Sequence, residues 1–416
     1  IPMLVLPADV GSRSAPEPRI IVQIPIYMDH MATTPVDPRV LEAILPYFGP
    51  HFGNASSKTH AFGLAAIDAV ERAREEAARL IGARPREIVF TAGATEANNL
   101  ALKGVTEEFG PGAHIITSEI EHKAVLDTCR TLEERGVELS YLPVDKAGLI
   151  DIDQLAAAIT DRTVLVSLMA ANNEIGVLSP LAEIGRLLKK RGILWHCDAA
   201  QAASKVVLDV EALGIDLLSV SGHKLYAPKG VGFLYVRSRN PRVRLRAQIE
   251  GGGQERGLRA GTLNVPGIVG LGRACELGRE EMETEASRLL EMRERLYRGL
   301  EARLGSIVVN GELESRLPGN LNVSFPGVDG ADLLLGLKDI ALSSGAACSS
   351  RAEAPSHVLR AIGLSDALAW ASLRFGLGRF NTMEEIDFAI DRVAAEVERL
   401  RSLVPAAAEI QELVAH

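Results

Sequence analysis

The sequence predicts an α/β protein. We expect a large domain, in which a mainly parallel sheet of seven strands lies between helices, and a smaller C-terminal α/β domain. Two observations favour this fold. Between residues 88 and 236, seven short runs rich in β-branched residues alternate with stretches whose apolar residues recur at helical spacing. The chain has 416 residues, which is enough for roughly two or three domains. Ligands of such sheets bind beyond the carboxyl ends of the strands.

The predicted strands cover residues 88–90, 114–117, 137–144, 163–169, 193–197, 216–220 and 232–236. Capping residues and apolar periodicity predict helices over residues 39–47, 64–81, 273–303 and 382–403. The 273–303 helix is the expected connector between domains. We therefore predict a flexible leader over residues 1–24, a large domain over 35–278, and a small domain that combines 25–34 with 279–416.

Composition excludes several classes of function. The chain is 47% hydrophobic and 24% charged with a formal net charge of −9, so direct nucleic-acid binding has no electrostatic support. No apolar run reaches membrane-spanning length, and the apolar start lacks the basic region of a signal peptide. The four cysteines show neither disulfide nor zinc spacing, so we expect no disulfide framework and no zinc site, and a reducing cytoplasm fits best.

Three segments that follow predicted strands could carry chemistry. Residues 91–99 enter a helix, whose N-terminal amides and dipole attract an anion. Asp198 ends an apolar strand, where a carboxylate needs a cationic partner. Lys224 follows the next strand, where burial favours a nucleophilic amine. Taken one at a time, the 91–99 segment is typical of an ordinary turn, Asp198 of a structural salt bridge and Lys224 of a surface lysine. Together they match what pyridoxal phosphate requires: an anion site, an aspartate for the ring nitrogen and a Schiff-base lysine.

The chain also resembles the cysteine desulfurases, which belong to the class V aminotransferase group of pyridoxal-phosphate enzymes with fold type I. The likeness covers residues 26–403. It rests on motifs at 27–34 (YMDHMATT), 52–54 (FGN), 92–99 (AGATEANN), 121–125 (EHKAV), 172–176 (NNEIG), 198–201 (DAAQ), 221–224 (SGHK), 251–255 (GGGQE), 259–262 (RAGT), 344–348 (SGAAC) and 374–379 (RFGLGR). So many motifs in the same order are highly specific, although any one alone would be weak.

The resemblance implies roles for the residues that would hold the cofactor. Lys224 would form the Schiff base and later move protons at the substrate carbon. Asp198 would pair with the ring nitrogen, Gln201 with the ring hydroxyl, and His122 would stack on the ring and assist proton transfer. The phosphate would be held by Ala94, Thr95, Ser221 and His223.

The resemblance further implies a homodimer, because Thr262 would reach the phosphate bound by the neighbouring subunit. Asn173 and Arg374 would fix the carboxylate of the substrate, L-cysteine, and a guanidinium suits this two-armed contact. The products would be L-alanine and a persulfide. The persulfide sulfur would pass to a sulfur acceptor, such as an iron–sulfur scaffold protein or a tRNA-thiolation protein.

Cys348 is predicted to be the sulfur-accepting nucleophile. It lies among small and polar residues at 343–350, a composition that predicts an exposed, mobile loop. Cys197 lies in a predicted strand, and Cys129 and Cys275 lie in helical patterns, where each is best interpreted as a small hydrophobic residue. The 25 residues between Cys348 and Arg374 match the long-loop subgroup of the family. The resemblance also allows Cys348 to act as a transient ligand of an iron–sulfur cluster.

Three other functions are compatible with this fold. An aminotransferase would not need Cys348 and would depend on a keto acid. A selenocysteine lyase could use the same residues, and comparing its rates on selenocysteine and cysteine would distinguish it. A non-catalytic binding protein would lack the cofactor spectrum, and the presence of Lys224, Asp198 and Cys348 together argues against it.

Overall fold

The structure, a computed structural model, describes residue 22, residues 24–344 and residues 354–403. The predicted leader therefore lies almost entirely outside the described residues. The chain divides into two compact units. The large unit comprises Thr33–Ala286 and Gly311–Leu317, and the small unit comprises Ile1–Ala32, Ser287–Asn310 and Pro318–His416, as far as these are described. The sequence predicts that the large domain binds the cofactor and that the small domain carries the catalytic cysteine, and both remain predictions.

A seven-stranded sheet forms the centre of the large unit, which confirms the predicted fold class. Its strands are β2 (Ile88–Thr91), β3 (His114–Ser118), β4 (Glu138–Leu142), β5 (Thr163–Ser167), β6 (Leu194–Asp198), β7 (Leu217–Ser221) and β8 (Gly232–Val236). Their order across the sheet is β2-β8-β7-β6-β5-β3-β4. β8 is antiparallel to both its neighbours, and the other pairs are parallel.

Seven helices accompany the strands of the large unit among the described residues. They are α1 (Pro38–Ile44), α2 (Ala61–Leu80), α3 (Ala94–Phe109), α4 (Lys123–Glu134), α5 (Ile152–Ala158), α6 (Leu181–Arg191) and α7 (Val210–Leu213). The predicted cap of the first helix is present, because the Asp37 side chain accepts the Arg39 N–H and Pro38 is the first helical residue. Three α3 residues that pack into the core are Ala97, Leu100 and Ala101.

The small unit contains a second sheet and the C-terminal helices. Its strands are β1 (Ile26–Tyr27), β9 (Val308–Val309), β10 (Asn320–Ser324), β11 (Ile340–Ala341), β12 (Ser343–Ser344) and β13 (Ser372–Gly376), and its helices are α9 (Gly330–Gly336), α10 (His357–Ala361), α11 (Asp366–Trp370) and α12 (Met383–Leu403). The order β12-β13-β10-β9 forms an antiparallel sheet, and β1 pairs with β11 in parallel. The buried face of α12 joins the apolar core of this unit.

The helix α8 (Val265–Leu304) begins in the large unit and ends in the small one. The sequence predicted this helix over 273–303, so its first two turns were missed. Pro266 and several glycines occupy those turns, and such residues mask a helical pattern although proline is tolerated in a first turn. Within the described part of the chain, no helix is long and apolar enough to cross a membrane.

Candidate active site

The register of the large sheet brings three chain segments to one edge. Ser221, the last residue of β7, and Thr91, the last residue of β2, both pair with Gly232 at the start of β8. Asp198, the last residue of β6, pairs with Ser219 of β7. The loops that leave these strands therefore lie side by side, as the sequence predicted for the ligand-binding edge.

The N-terminus of α3 forms a cradle suited to an anion. Gly93 precedes the helix with φ 152° and ψ −178°, a conformation that is essentially restricted to glycine. A Cβ atom added to Gly232 would lie 2.8 Å from the Gly93 Cα atom. A Cβ atom added to Gly93 would lie 3.5 Å from Ser221 Oγ. The first amides of the helix, those of Ala94 and Thr95, have no acceptor within it. The cradle therefore offers amides, a hydroxyl and a positive helix end to a phosphate.

Asp198 is buried and held in place by two donors. It is 6% exposed, one carboxylate oxygen accepts the Ala200 N–H at 2.9 Å, and the other accepts the Asn98 side-chain amide at 2.7 Å. Asn98 lies one turn after the cradle on α3, so one helix carries both the cradle and the group that orients the carboxylate. No role was predicted for Asn98 from the sequence. Its position three residues after Thr95, on a helix that packs against the sheet, could have indicated one.

Lys224 ends a short 3-10 turn, Gly222–Lys224, directly after β7. The turn is tied to the start of the large unit, because the backbone carbonyl of His223 accepts the N–H of Thr34 at 2.9 Å and its hydroxyl at 3.0 Å. The imidazole of His223 lies 3.0 Å from the hydroxyl of Thr33. Burial and the charges of nearby lysines, Lys224 foremost, lower the pKa of His223 to about 4. His223 is therefore neutral at neutral pH.

Gln201 and His122 lie on two further loops of the same unit. Gln201 is 4% exposed, and its side-chain oxygen accepts a hydrogen bond from Lys205 at 3.3 Å. His122 is exposed at the start of α4, where its Nδ1 accepts the Ala124 N–H at 3.0 Å. That bond leaves Nε2 as the protonated ring nitrogen.

The loop that carries His122 is fastened to the loop that carries Asn173. The carboxyl of Glu121 is fully buried and accepts the Met169 N–H at 2.7 Å. The side-chain amide of Asn172 donates to the Ile120 carbonyl at 2.9 Å. Burial, reinforced by the charge of Asp198, raises the pKa of Glu121 well above its ordinary value. Glu121 and Asn172 were not assigned roles from the sequence, because their partners are backbone groups about 50 residues away.

The three cysteines within the described residues are buried and unpaired. Burial raises the pKa of Cys129 to about 12 and also raises the pKa values of Cys197 and Cys275. Their thiolates are therefore strongly disfavoured, and the thiolate is the reactive form of cysteine. Cys348 lies outside the described residues. Within those residues, no three histidine, cysteine or acidic side chains are grouped as metal ligands.

Arg374 belongs to the small unit, on β13 opposite Ser343 of β12. Its side chain is 4% exposed, and Nη2 donates to Asp29 and to Ser343 Oγ, each at 2.8 Å. The Ser343 hydroxyl also donates to Asp29 at 2.9 Å. This arrangement fixes the orientation of the guanidinium. Asp29 and Ser343 were not predicted as site residues, although both lie within or next to quoted motifs.

The remaining predicted residue, Thr262, is exposed on the loop that precedes α8. The large unit thus holds every predicted cofactor residue and Asn173. These residues provide a helix N-terminus, a buried carboxylate at the end of a strand and a lysine after the next strand. This set fits the phosphate, the ring nitrogen and the carbonyl carbon of pyridoxal phosphate. The fold and the site define the class: a pyridoxal-phosphate enzyme of fold type I.

Comparison with known proteins identifies the group within that class. Residues 26–388 match the family model described as aminotransferase class-V. The chain is 56% identical over 385 residues to cysteine desulfurase IscS of Anaeromyxobacter dehalogenans, covering 92% of this chain and 95% of that protein. It is 51% identical over 405 residues to the human cysteine desulfurase, covering 97% of this chain and 88% of that protein.

Two solved structures agree with these relatives. A structure described as a NifS-like protein matches with a TM-score of 0.84 and 39% identity, covering 90% of this chain and all of that one. A structure described as SspA in complex with cysteine matches with a TM-score of 0.76 and 38% identity, covering 86% of this chain and all of that one. The chain therefore belongs to the class-V aminotransferase family and, within it, to the pyridoxal-phosphate-dependent cysteine desulfurases.

Proposed function

We propose that this chain converts L-cysteine to L-alanine and retains the sulfur as a persulfide on Cys348. The observation that carries the proposal is the buried carboxylate of Asp198, which Asn98 holds at 2.7 Å on the strand beside the one that leads to Lys224. A buried anion beside a lysine suits a cationic ring nitrogen next to a covalently held carbonyl carbon. The similarity to proteins named cysteine desulfurase supports the choice of substrate.

Pyridoxal phosphate, when bound, supplies an electron sink for charge that develops at the substrate Cα atom. Lys224 would hold the cofactor and carry a proton to and from that Cα atom. Asp198 would keep the ring nitrogen protonated, Gln201 would contact the ring hydroxyl, and His122 would cover the ring face.

The remaining residues would bind charged groups. The amides of Ala94 and Thr95, the Ser221 hydroxyl and the imidazole of His223 would hold the phosphate. Thr262 would contribute to the phosphate site of a second copy, so that the active protein is a homodimer. Asn173 and Arg374 would bind the substrate carboxylate, and the contacts of Arg374 with Asp29 and Ser343 would keep its guanidinium oriented.

The sulfur step requires a nucleophile and no added oxidant. The thiolate of Cys348 attacks the substrate sulfur, a sulfur–sulfur bond forms, and the bond between that sulfur and the substrate Cβ atom breaks. The electron pair of the broken bond stays with the carbon, which takes up a proton and becomes the methyl group of alanine. Carbon is reduced while the two sulfur atoms are oxidised to the persulfide. Cys348 follows β12 by only four residues, and β12 pairs with the strand of Arg374.

The persulfide would be delivered to a sulfur acceptor. Iron–sulfur scaffold proteins and tRNA-thiolation proteins are the acceptor classes that the family resemblance implies. Because the burial of Cys129, Cys197 and Cys275 leaves no exposed thiol among the described residues, an exposed persulfide would form only at Cys348. We place the reaction in the cytoplasm, where reducing conditions keep thiols available.

The test is mass spectrometry of the protein after L-cysteine, together with an alanine assay and the visible spectrum. We expect a mass gain of one sulfur atom that maps to Cys348, with alanine formed. Cys348→Ala should keep the cofactor spectrum and lose both products. Cys129→Ala, which removes a buried cysteine, is the matched control and should retain them. Alanine production by Cys348→Ala at the normal rate would refute the role of this residue.

A further inference from the structure

The loop of residues 251–262, which leads to Thr262, has an unusual backbone. Glu255, Arg256 and Gly257 are three consecutive residues with positive φ values of 47°, 58° and 80°. L-amino acids adopt the left-handed region rarely and normally as single residues. Two side-chain-bearing residues in succession are retained only where the surroundings impose the conformation, and such places cluster at functional sites.

A buried ion pair imposes this conformation. The carboxylate of Glu255 accepts hydrogen bonds from both terminal nitrogens of Arg74 on α2, each at 2.8 Å, and from the Phe90 N–H at 2.8 Å. The side chains of the pair are 4% and 1% exposed, and the guanidinium lies 4.6 Å from the centre of the Phe90 ring. Both oxygens of the carboxylate therefore accept hydrogen bonds from fixed donors, so the position of the carboxylate constrains the backbone that carries it.

Two more contacts attach the loop to the segment that forms the phosphate cradle. Arg256 donates to the Ile88 carbonyl on β2 at 2.6 Å. Arg259 pairs at 2.8 Å with Glu96, which lies in the first turn of α3 beside Thr95. Thr262, three residues beyond Arg259, is nevertheless exposed. The loop is thus rigidly anchored at its base and presents its far end to the outside of the subunit.

We infer that Arg74 and Glu255 are a positioning pair, which fixes the 251–262 loop so that Thr262 reaches the phosphate site of a second copy of this chain. This inference rests on the proposed function in one respect, the donation of Thr262 across a homodimer. The pair contacts neither cofactor nor substrate and acts through the loop. Its loss weakens cofactor binding in the opposite subunit, and a purely structural ion pair would not have that effect.

Glu255→Gln tests the pair, because the amide still accepts the Phe90 N–H but cannot neutralise Arg74. The matched control is Asp216→Asn, which disrupts another buried ion pair of the large unit, with Arg237 at 3.0 Å and 5% and 8% exposure. The measurements are the dissociation constant of pyridoxal phosphate and the unfolding temperature of the cofactor-free protein. We expect both variants to unfold earlier. Only Glu255→Gln should lose affinity for the cofactor, by about tenfold or more.

Equal cofactor affinities in the two variants would overturn the inference. If Glu255→Gln does not fold, Arg74→Lys replaces it, because lysine keeps the charge but loses the two-armed contact. Its cofactor affinity should also fall below that of Asp216→Asn, and an affinity equal to that of the control would again reject the pair. Since cofactor binding is measured without cysteine, a failure of the Cys348 assignment does not affect the result.

Hybrid dimers decide whether the effect crosses the subunit boundary. With Glu255→Gln in one subunit and Lys224→Ala in the other, the intact lysine site receives Thr262 from an unaltered loop, and its visible absorbance should persist on dilution. With both substitutions in the same subunit, the intact site receives the altered loop and should lose its cofactor faster. Identical loss from the two hybrids, or a chain that is monomeric with its cofactor bound, would contradict the inference.

Discussion

At the scale of single residues, two buried carboxyl groups of the large unit differ in what surrounds them. Asp198 accepts a backbone N–H and a side-chain amide. Glu121 accepts one backbone N–H through its Oε1 atom, and burial together with the charge of Asp198 raises its pKa. This environment disfavours a negative charge on Glu121, because a second anion close to Asp198 would add repulsion in a medium of low dielectric constant.

Glu121→Gln should therefore flatten the dependence of stability on pH. In the unfolded chain Glu121 loses its proton near 4.5, its ordinary pKa, whereas the folded protein retains the proton to higher pH. The stability that the protonated form contributes is complete below that pH and is lost as the pH rises through the raised folded pKa. Glutamine has no proton to lose. The wild type should lose stability relative to the variant by at most about 1.4 kcal/mol per pH unit.

The measurement is denaturant unfolding of both proteins at several pH values above 4.5, the ordinary pKa of Glu121. Glu134→Gln, an exposed position on α4, is the control and should follow the wild type. Parallel curves for the wild type and Glu121→Gln would mean that Glu121 is already ionised in the folded protein.

These residues also show how far the sequence could predict the site. Asp198 and Lys224 were identifiable because a charged residue at the end of an apolar strand needs a partner, and that argument requires only the local sequence. Glu121 could not be assigned in this way, because its partner is the backbone of Met169, 48 residues away. Asn98 was within a quoted motif, but its contact with Asp198 spans 100 residues.

At the scale of elements, the close approach of β8 to the start of α3 shapes the cradle. A Cβ atom added to Gly232 would lie 2.3 Å from the Val220 carbonyl oxygen and 2.8 Å from the Gly93 Cα atom. Both distances are shorter than nonbonded contacts allow, and the obstructing atoms are backbone. Glycine at this position therefore lets two strands and a helix N-terminus meet at one point.

Gly232→Ala should displace the cradle. We expect a loss of about 1–3 kcal/mol of unfolding free energy, the usual cost of overpacking, together with a smaller bound fraction of pyridoxal phosphate. Glu134→Ala is the control, because Glu134 is exposed on α4, and it should change stability by less than about 0.5 kcal/mol. Unfolding and the visible spectrum are measured on each. Normal cofactor content in Gly232→Ala would show that the cradle tolerates the shift.

The seven strands were predictable because each is a short β-branched run that ends at turn residues. The antiparallel direction of β8 was not predicted. Residues 222–231 connect β7 to β8 and contain only a single 3-10 turn, whereas a parallel neighbour needs a crossover of about a dozen residues or more. The direction was therefore implicit in the length of the connection. The pairing of Arg374 with Asp29, 345 residues apart, had no comparable local indication.

At the scale of the whole molecule, the role proposed for Thr262 requires a second copy of the chain. Within the described residues, several large apolar side chains between positions 41 and 64 of the large unit are exposed. They are Leu41, Leu45, Phe48, Phe52, Phe62 and Leu64. Phe52 and Phe62 lie with their ring centres 5.3 Å apart. Several large exposed apolar side chains close together in the sequence are typical of an interaction site, and a homodimer that exchanges Thr262 would give them a function.

Phe52→Glu should therefore convert the protein to monomers and release cofactor at the same time. A charge placed in an apolar interface must be desolvated, which costs several kcal/mol, and a separated subunit no longer receives Thr262 from its neighbour. Leu335→Glu is the control, because Leu335 is 64% exposed and Phe52 is 69% exposed, but Leu335 lies in the small unit. Sedimentation and cofactor absorbance are followed over a dilution series. If Phe52→Glu still sediments as a dimer with bound cofactor, the 41–64 surface is not the interface. If it becomes monomeric and retains the cofactor at wild-type affinity, each subunit binds its cofactor alone and Thr262 has no role across the boundary.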